Sequence, residues 1–219
     1  MTIGIYDSPA SAAVTRYKGG LAISSVPAVE PIVAADAKLF CRVDASADDG
    51  LFASLIVAAR RAVEAHTGRA LVTQTWDWVL DEAPARIIQV PLPPLASVSG
   101  IYFTDQDDTE GAAISSSLYV VDTSRNRIYL KDGESWGYTS LRSFRSTRIR
   151  FVAGYGATAA DASAGTPIAG TTPADILAAI RRIVLHNYEN RDEVALGTIA
   201  AEIPMGAKAL LQPYVVPRC

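Results

Sequence analysis

Arg142, Arg145, Arg148 and Arg150 stand within nine residues, RSFRSTRIR, with Phe144 and Phe151 beside them. Guanidinium groups interleaved with aromatic rings can grip phosphates and stack on bases, or can meet an acidic protein surface. The same spacing also fits a solvated strand edge whose charges discourage pairing with another sheet. The other candidates for chemistry are fewer. His66 and His186 are the only histidines, and neither sits in an HxxxH, HExxH or Cys/His cluster, so the spacing offers no metal site. DQDDTEG (105–111) places oxygens at the first, third and fifth positions of a calcium-type loop, but Glu110 occupies the sixth, where glycine is required. It reads as a hairpin turn. GYGA (154–157) lacks the third glycine and the lysine of a phosphate loop. No GxSxG elbow is present, and two histidines leave little scope for a triad.

The whole-chain balance points the same way. The 219 residues carry 20 Lys and Arg against 23 Asp and Glu, a net charge of −3, which disfavours a protein whose main task is to hold nucleic acid. Two cysteines, Cys41 and Cys219, make no disulfide framework and suggest a reducing compartment. The first twenty residues lack a basic segment followed by an apolar core, and no apolar run reaches the roughly 20 residues of a membrane span. The expectation is a soluble protein made in a cytoplasm, with no membrane partner.

The elements that must position these residues are legible from periodicity. Residues 1–30 show no sustained period and read as an N-terminal arm with a short strand near Leu21–Val26. A short helix follows, with Ala37, Phe40 and Cys41 on one face. A second helix opens at Asp48 and Asp49, where carboxylates favour the helix dipole, and closes at Gly68. Leu51, Leu55, Ala58, Ala59, Ala62 and Val63 form its apolar stripe, which leaves Arg60, Arg61 and Glu64 outward. From Leu71 the period changes to two: Val72, Gln74, Trp76, Trp78 and Leu80 share a face. RIIQV (86–90), SVSGIYFTD (97–105), LYVVD (118–122), RIYL (127–130) and STRIRFVAG (146–154) are further strands, and PLPPL (91–95) cannot lie within a central one. Residues 156–171 form a small-residue loop, expected to be mobile. Thr172 is placed to cap a helix that carries Ile176, Ile180, Ile183, Val184 and Asn187 on one face to about Arg191. A short helix near Met205–Gln212 is stopped by Pro213.

These segments predict an α+β fold: a helical body of about four helices (31–70 and 172–213), an inserted small antiparallel sheet or sandwich (71–155) and a tail, 213–219. The expected division is an arm, 1–30, and one domain, 31–219. The order of the segments is similar to that of a known family. AxAKxFCRVD, AxxxVExHTGRAL, TQTWDWVLD, PLPPLxSVxxIYF, YVVD, RIRFVAGYG, TPADILAAIRRIVLHNYENRDEV and EIPMGAKALLQPYVV follow one another across residues 27–216. This set resembles the head–tail connector, or adaptor, family of long-tailed bacteriophages, prophages and gene transfer agents. The longer N-terminal arm and the loop at 156–172 depart from that pattern.

The resemblance implies a structural protein of the virion neck, assembled in the host cytoplasm, with no catalysis and no cofactor. It implies a ring, usually of twelve copies, beneath the portal protein, which extends the DNA channel and offers a platform to the neck stopper and tail. Viral DNA would pass through without specific binding. The lumen would then be acidic or neutral, with the arginines of 142–150 turned away from it or paired. Trp76 and Trp78 become core or intersubunit residues, and Arg142, Arg145 and Arg148 candidates for a partner or intersubunit surface. Tyr214, Val215, Val216, Pro217 and Arg218 become candidates for the portal contact, although such a tail could equally pack on its own subunit. A nucleic-acid-binding module built on Arg142–Arg150, and an enzyme whose site carries no recognised motif, are the alternatives.

Overall fold

A helix that must bury one stripe and yet carries an arginine within it needs a partner for that charge, and this requirement sets the helical part of the chain. In the computed structural model the described residues are 14–15, 19–138, 140–156, 172–190 and 203–217. They divide into two compact units. One gathers the described residues of 25–74, 92–94 and 153–219, and the other those of 1–24, 75–91 and 95–152.

The first unit holds four α-helices among the described residues: α1 (Ala34–Cys41), α2 (Asp49–Thr67), α3 (Ala174–Glu189) and α4 (Met205–Leu211). Its core joins Phe52, Ile56, Ala59 and Val63 of α2 to Ile176, Ile180, Ile183 and Val184 of α3, with Ala207 and Leu211 of α4. The α3 face is the expected one. The α2 stripe is rotated from the expected one: Phe52, Ile56, Ala59, Val63 and Thr67 are buried, Leu51, Leu55 and Ala62 are half-buried, and Ala58 is exposed. Arg60, expected outward, is only 4% exposed. Its Nε and Nη2 donate to Glu30 at 2.7 and 3.2 Å, and its Nη1 to Glu64 at 2.7 Å. Paired twice, the guanidinium can enter the buried face, which otherwise would exclude it. On α1, Ala37 is buried but Phe40 is 44% exposed, so the predicted face is only partly right.

Helix ends differ in how they match expectation. Gly68 takes φ +69 and its N–H donates to the Glu64 carbonyl at 2.9 Å, the left-handed stop read from the sequence. Thr172 does not cap α3. Pro173 is the cap residue, its carbonyl accepts from the N–H groups of Ile176 and Leu177, and the Thr172 hydroxyl is buried without a hydrogen bond. Asp48 at the head of α2 makes no side-chain cap but accepts from the Tyr188 hydroxyl at 2.8 Å, while the Tyr188 ring stacks on Phe52. Pro213 does not end the last helix abruptly; a 3₁₀ turn, Gln212–Tyr214, carries the chain one step further.

The second unit is built of two four-stranded sheets. One orders β1 (Val14–Thr15), β4 (Ile87–Gln89), β7 (Arg127–Leu130) and β6 (Tyr119–Asp122); β1 runs parallel to β4, and the other two pairings are antiparallel. Ile88 pairs Ile128 in its buried centre. The other sheet orders β2 (Gly20–Ser25), β3 (Gln74–Leu80), β8 (Thr147–Ala153) and β5 (Leu95–Phe103). Thr147, Ile149, Phe151 and Ala153 alternate inward along β8, which turns Arg148 and Arg150 to the opposite face. β2 is the strand expected in the arm, while β1 was unforeseen because two residues carry no period. Gly19, at φ +117, lets the arm approach β3: a Cβ there would sit 2.1 Å from the Val79 carbonyl oxygen. The expected loop at 156–171 lies outside the described residues, except Gly156.

Because Ile56 rather than Leu55 lies at the centre of the stripe, Ile56→Ala should cost about 2–5 kcal/mol of stability. Leu55→Ala, at the margin, should cost less than half as much. Denaturant unfolding of the two variants checks the order, and equal losses would mean that the stripe is misplaced.

Candidate functional site

The arginine stretch and the tail are the two candidate surfaces that the sequence offers. β8 sends Arg148 and Arg150 to the same face because they are two residues apart. Asp77, next to Trp78 on the neighbouring strand β3, lies on that face. Arg150 grips it with Nε and Nη2 at 2.8 and 2.7 Å, and Arg148 Nη1 reaches it at 3.2 Å. Arg148 also makes a two-pronged pair with Glu110, at 2.7 and 2.6 Å, and lies 4.1 Å over the Tyr102 ring of β5. Hydrogen bonds from Arg150 hold the Asp77 carboxyl below its ordinary range, and those from Arg148 do the same to Glu110. Arg148 is correspondingly held above its own usual value, first by Glu110. This is a cross-strand ladder of alternating charge.

The loop before β8 differs. Arg142 donates to Asp108 at 2.9 Å and twice to the carbonyl of Arg145, at 3.2 and 2.8 Å. Arg145 itself is exposed, and its guanidinium has no partner among the described residues. Of the four arginines, three are therefore committed to carboxylates of their own chain. The 105–111 segment is the expected turn: Asp105 accepts from the N–H groups of Asp107 and Thr109, and Thr104 bridges Glu110. Trp78 is fully buried and so belongs to the core. Trp76 is half-buried, and its indole N–H is enclosed without an acceptor.

The tail has a defined seat. The Val216 N–H donates to the carbonyl of Thr67 at 2.8 Å, one of the last carbonyls of α2, which no residue of the helix can satisfy. Arg69 Nε donates to the Tyr214 carbonyl at 2.6 Å, and the Tyr214 hydroxyl reaches Asp175 at 3.2 Å. A Cβ on Gly68 would lie 3.5 Å from Val216 Cβ, so the TGR turn that stops the helix also receives the tail. Val215 is half-buried and Pro217 exposed; Arg218 lies outside the described residues. Tyr214 and Val216 are thus hydrogen-bonded to their own chain.

Little else invites chemistry. His66 is half-buried in the last turn of α2, and exposed His186 on α3 stands 3.3 Å from the Asn190 amide. No group of three His, Cys, Asp or Glu side chains among the described residues could hold a metal ion. An open hollow lined by Arg86, Trp136 and Tyr138 holds no nucleophile paired with a base, and Arg86 is spent on the carbonyls of Leu130, Lys131 and Glu134 and on Asp132. No described helix is long and apolar enough to cross a membrane. The sequence reading missed Asp77 and Glu110 as the anions of the arginine stretch. The signal was present for Asp77, since an acid in the middle of an apolar-alternating strand calls for a cation on the next one.

A carboxyl whose folded pKa is depressed stabilises the fold above its unfolded value of about 3.9, and that contribution is lost as pH falls through the lower folded value. Asp77→Asn should therefore cost about 2 kcal/mol at pH 7. The gap from the wild type should shrink steadily below pH 4. Chemical unfolding at pH 7 and pH 3 measures both, and a gap that does not change with pH would show that the ladder contributes no net charge stabilisation.

No curated protein matches the chain. Solved structures share its fold, among them three from gene transfer agent particles. A chain in the neck of an empty gene transfer agent particle, computed with C6 symmetry, matches with a TM-score of 0.68 at 21% identity, over 91% of this chain and 97% of that one. A chain of the native gene transfer agent virion gives 0.64 at 20%, over 91% and 96%. One from the native neck computed with C12 symmetry gives 0.60 at 23%, over 90% and 97%. Residues 33–126 match the model of the phage gp6-like head–tail connector protein family, the family whose motif order the chain resembles.

Proposed function

We propose that this chain is a structural head–tail adaptor: a ring subunit of a virion neck that sits beneath a portal, extends the DNA channel and receives the stopper and tail. The observation that carries the reading is the coincidence of two likenesses. The connector family model covers residues 33–126, and the fold likeness to gene transfer agent neck chains runs well past that segment, over nine-tenths of both chains. A neck computed with C12 symmetry supports twelve copies. The committed arginines fit the same role. A channel wall that DNA slides past must not offer an open basic track, and Arg142, Arg148 and Arg150 are neutralised by Asp108, Glu110 and Asp77.

Within this reading Trp76 is an intersubunit candidate and Trp78 supports it from the core. Tyr214 and Val216 anchor the tail, and Val215, Pro217 and Arg218 carry the portal contact.

The full-length protein, alone or mixed with portal, should appear as closed rings in negative stain and sediment far above its 23.2 kDa monomer. A chain that stays monomeric with portal and binds duplex DNA with a steep salt dependence would instead favour the nucleic-acid module. The tail is tested by two truncations. Removing 217–219 leaves both backbone anchors, so the thermal midpoint should hold while portal binding falls. Removing 213–219 should lower the midpoint as well. Portal binding that survives both truncations would refute the docking role.

A further inference from the structure

We propose that residues 140–146 form a pre-set contact loop whose Phe144 and Arg145 dock against a carboxylate-bearing surface of a second copy of this chain. The inference rests on the ring reading above and names one contact within it. Its starting point is the backbone. Arg145 has φ +48, in the left-handed region that residues other than glycine rarely occupy. Such strain persists only where the surroundings over-determine it. Here they do: the Arg145 N–H donates to Asp81 at 2.8 Å, and its carbonyl accepts from Nε and Nη2 of Arg142. Arg142 is itself fixed by Asp108 and by its own N–H on the Thr104 carbonyl at 3.2 Å. Ser146, the next residue, is fully buried, and its carbonyl accepts from Thr104 at 2.8 Å.

All this fixing serves two side chains that make no core. Phe144 is 56% exposed, with the Arg142 guanidinium 5.0 Å from its ring centre, and Arg145 is exposed and unpartnered among the described residues. If the position existed only to make the turn, glycine would make it without strain. An aromatic ring and an arginine on a rigid support are instead the residue types that dominate interface energies, and rigidity lowers the entropy lost on docking.

The occupant follows from charge. Arginines flanking a phosphate track would have to be open, whereas Arg142, Arg148 and Arg150 are bound to own-chain carboxylates, and Asp81 and Asp108 stand beside the loop. One open arginine, with its three neighbours bound, is too few for a phosphate track and enough to pair a single carboxylate. The chain supplies such a group: Glu134 of the same unit is exposed, with its carboxylate unpaired to another side chain among the described residues. In a head-to-tail ring every copy offers both the arginine and the acid, so the contact closes on itself.

The test is Arg145→Gly in the full chain, with Arg145→Asn, which also accepts left-handed backbone, as the second variant. The thermal midpoint should stay or rise, while the concentration for half-assembly rises at least tenfold and loses its sensitivity to salt. Duplex DNA binding, read by fluorescence anisotropy, should not change. Variants that assemble as the wild type does overturn the contact and leave the ring reading intact. Variants that assemble normally but lose DNA binding overturn it in favour of phosphate. A wild-type chain that never assembles, with portal or without, overturns both.

Discussion

The helical unit depends on one buried cation. Arg60 lies in the stripe that α2 turns to the core, and a guanidinium there is tolerable only if its donors are met. Glu30 takes two of them and Glu64 a third. Glu64 then uses its other oxygen to accept from the Leu71 N–H at 3.0 Å and the Gln74 amide at 2.7 Å. One charge thereby ties the segment entering α1, the last turn of α2 and the first residues after Gly68. Removal of either acid would leave the other partners buried and short of a bond, so the network holds as a set rather than as a sum of pairs.

That network also marks where the sequence stops being readable. The existence of α2 and its stop at Gly68 follow from local rules and are found; the strand expected from Leu71 begins at Gln74, and PLPPL lies in no central strand, its Leu95 opening the edge strand β5. The face of α2 does not follow. Arginine is usually exposed, and an outward Arg60 rotates the expected stripe towards Leu51, Leu55 and Ala58. The i, i+4 spacing of Arg60 and Glu64 was visible, but on an exposed face it is an ordinary surface pair. Glu30 lies thirty residues away, and only folding brings it near. Thr172 failed for a related reason: it has the right type and position for a cap, yet Pro173 and the packing around it decide which oxygen meets the free N–H groups.

The arginine stretch was legible as a feature and not as a state. Alternation along β8 put Arg148 and Arg150 on one face, but it could not say that Asp77 and Glu110 would meet them there. Once paired, these groups add rigidity to the sheet and little to the field outside it. A −3 net charge on the whole chain then describes its surface better than the RSFRSTRIR motif does. The exception, Arg145, was indistinguishable from its neighbours in sequence, since a left-handed backbone at an arginine leaves no compositional trace.

The helix stop at Gly68 joins the buried set at Arg60 to the tail. Ending a helix frees carbonyls that must be met by water or by another segment. Here the Thr67 carbonyl takes the Val216 N–H, and the Val216 side chain lies against the Gly68 turn. Glycine at this position takes the left-handed turn towards Leu71, and the carbonyl freed before it seats the tail. The buried set at Arg60 fixes the turn from inside, and the tail covers it from outside. A segment anchored in this way is short, because Tyr214 and Val216 bracket a single residue and each has its carbonyl or N–H bound to the α2 end. What extends beyond Val216 starts from a fixed point on the helical unit. A partner that bound it would have to order only the residues after that point, and so would lose far less entropy than in capturing the whole of 213–219.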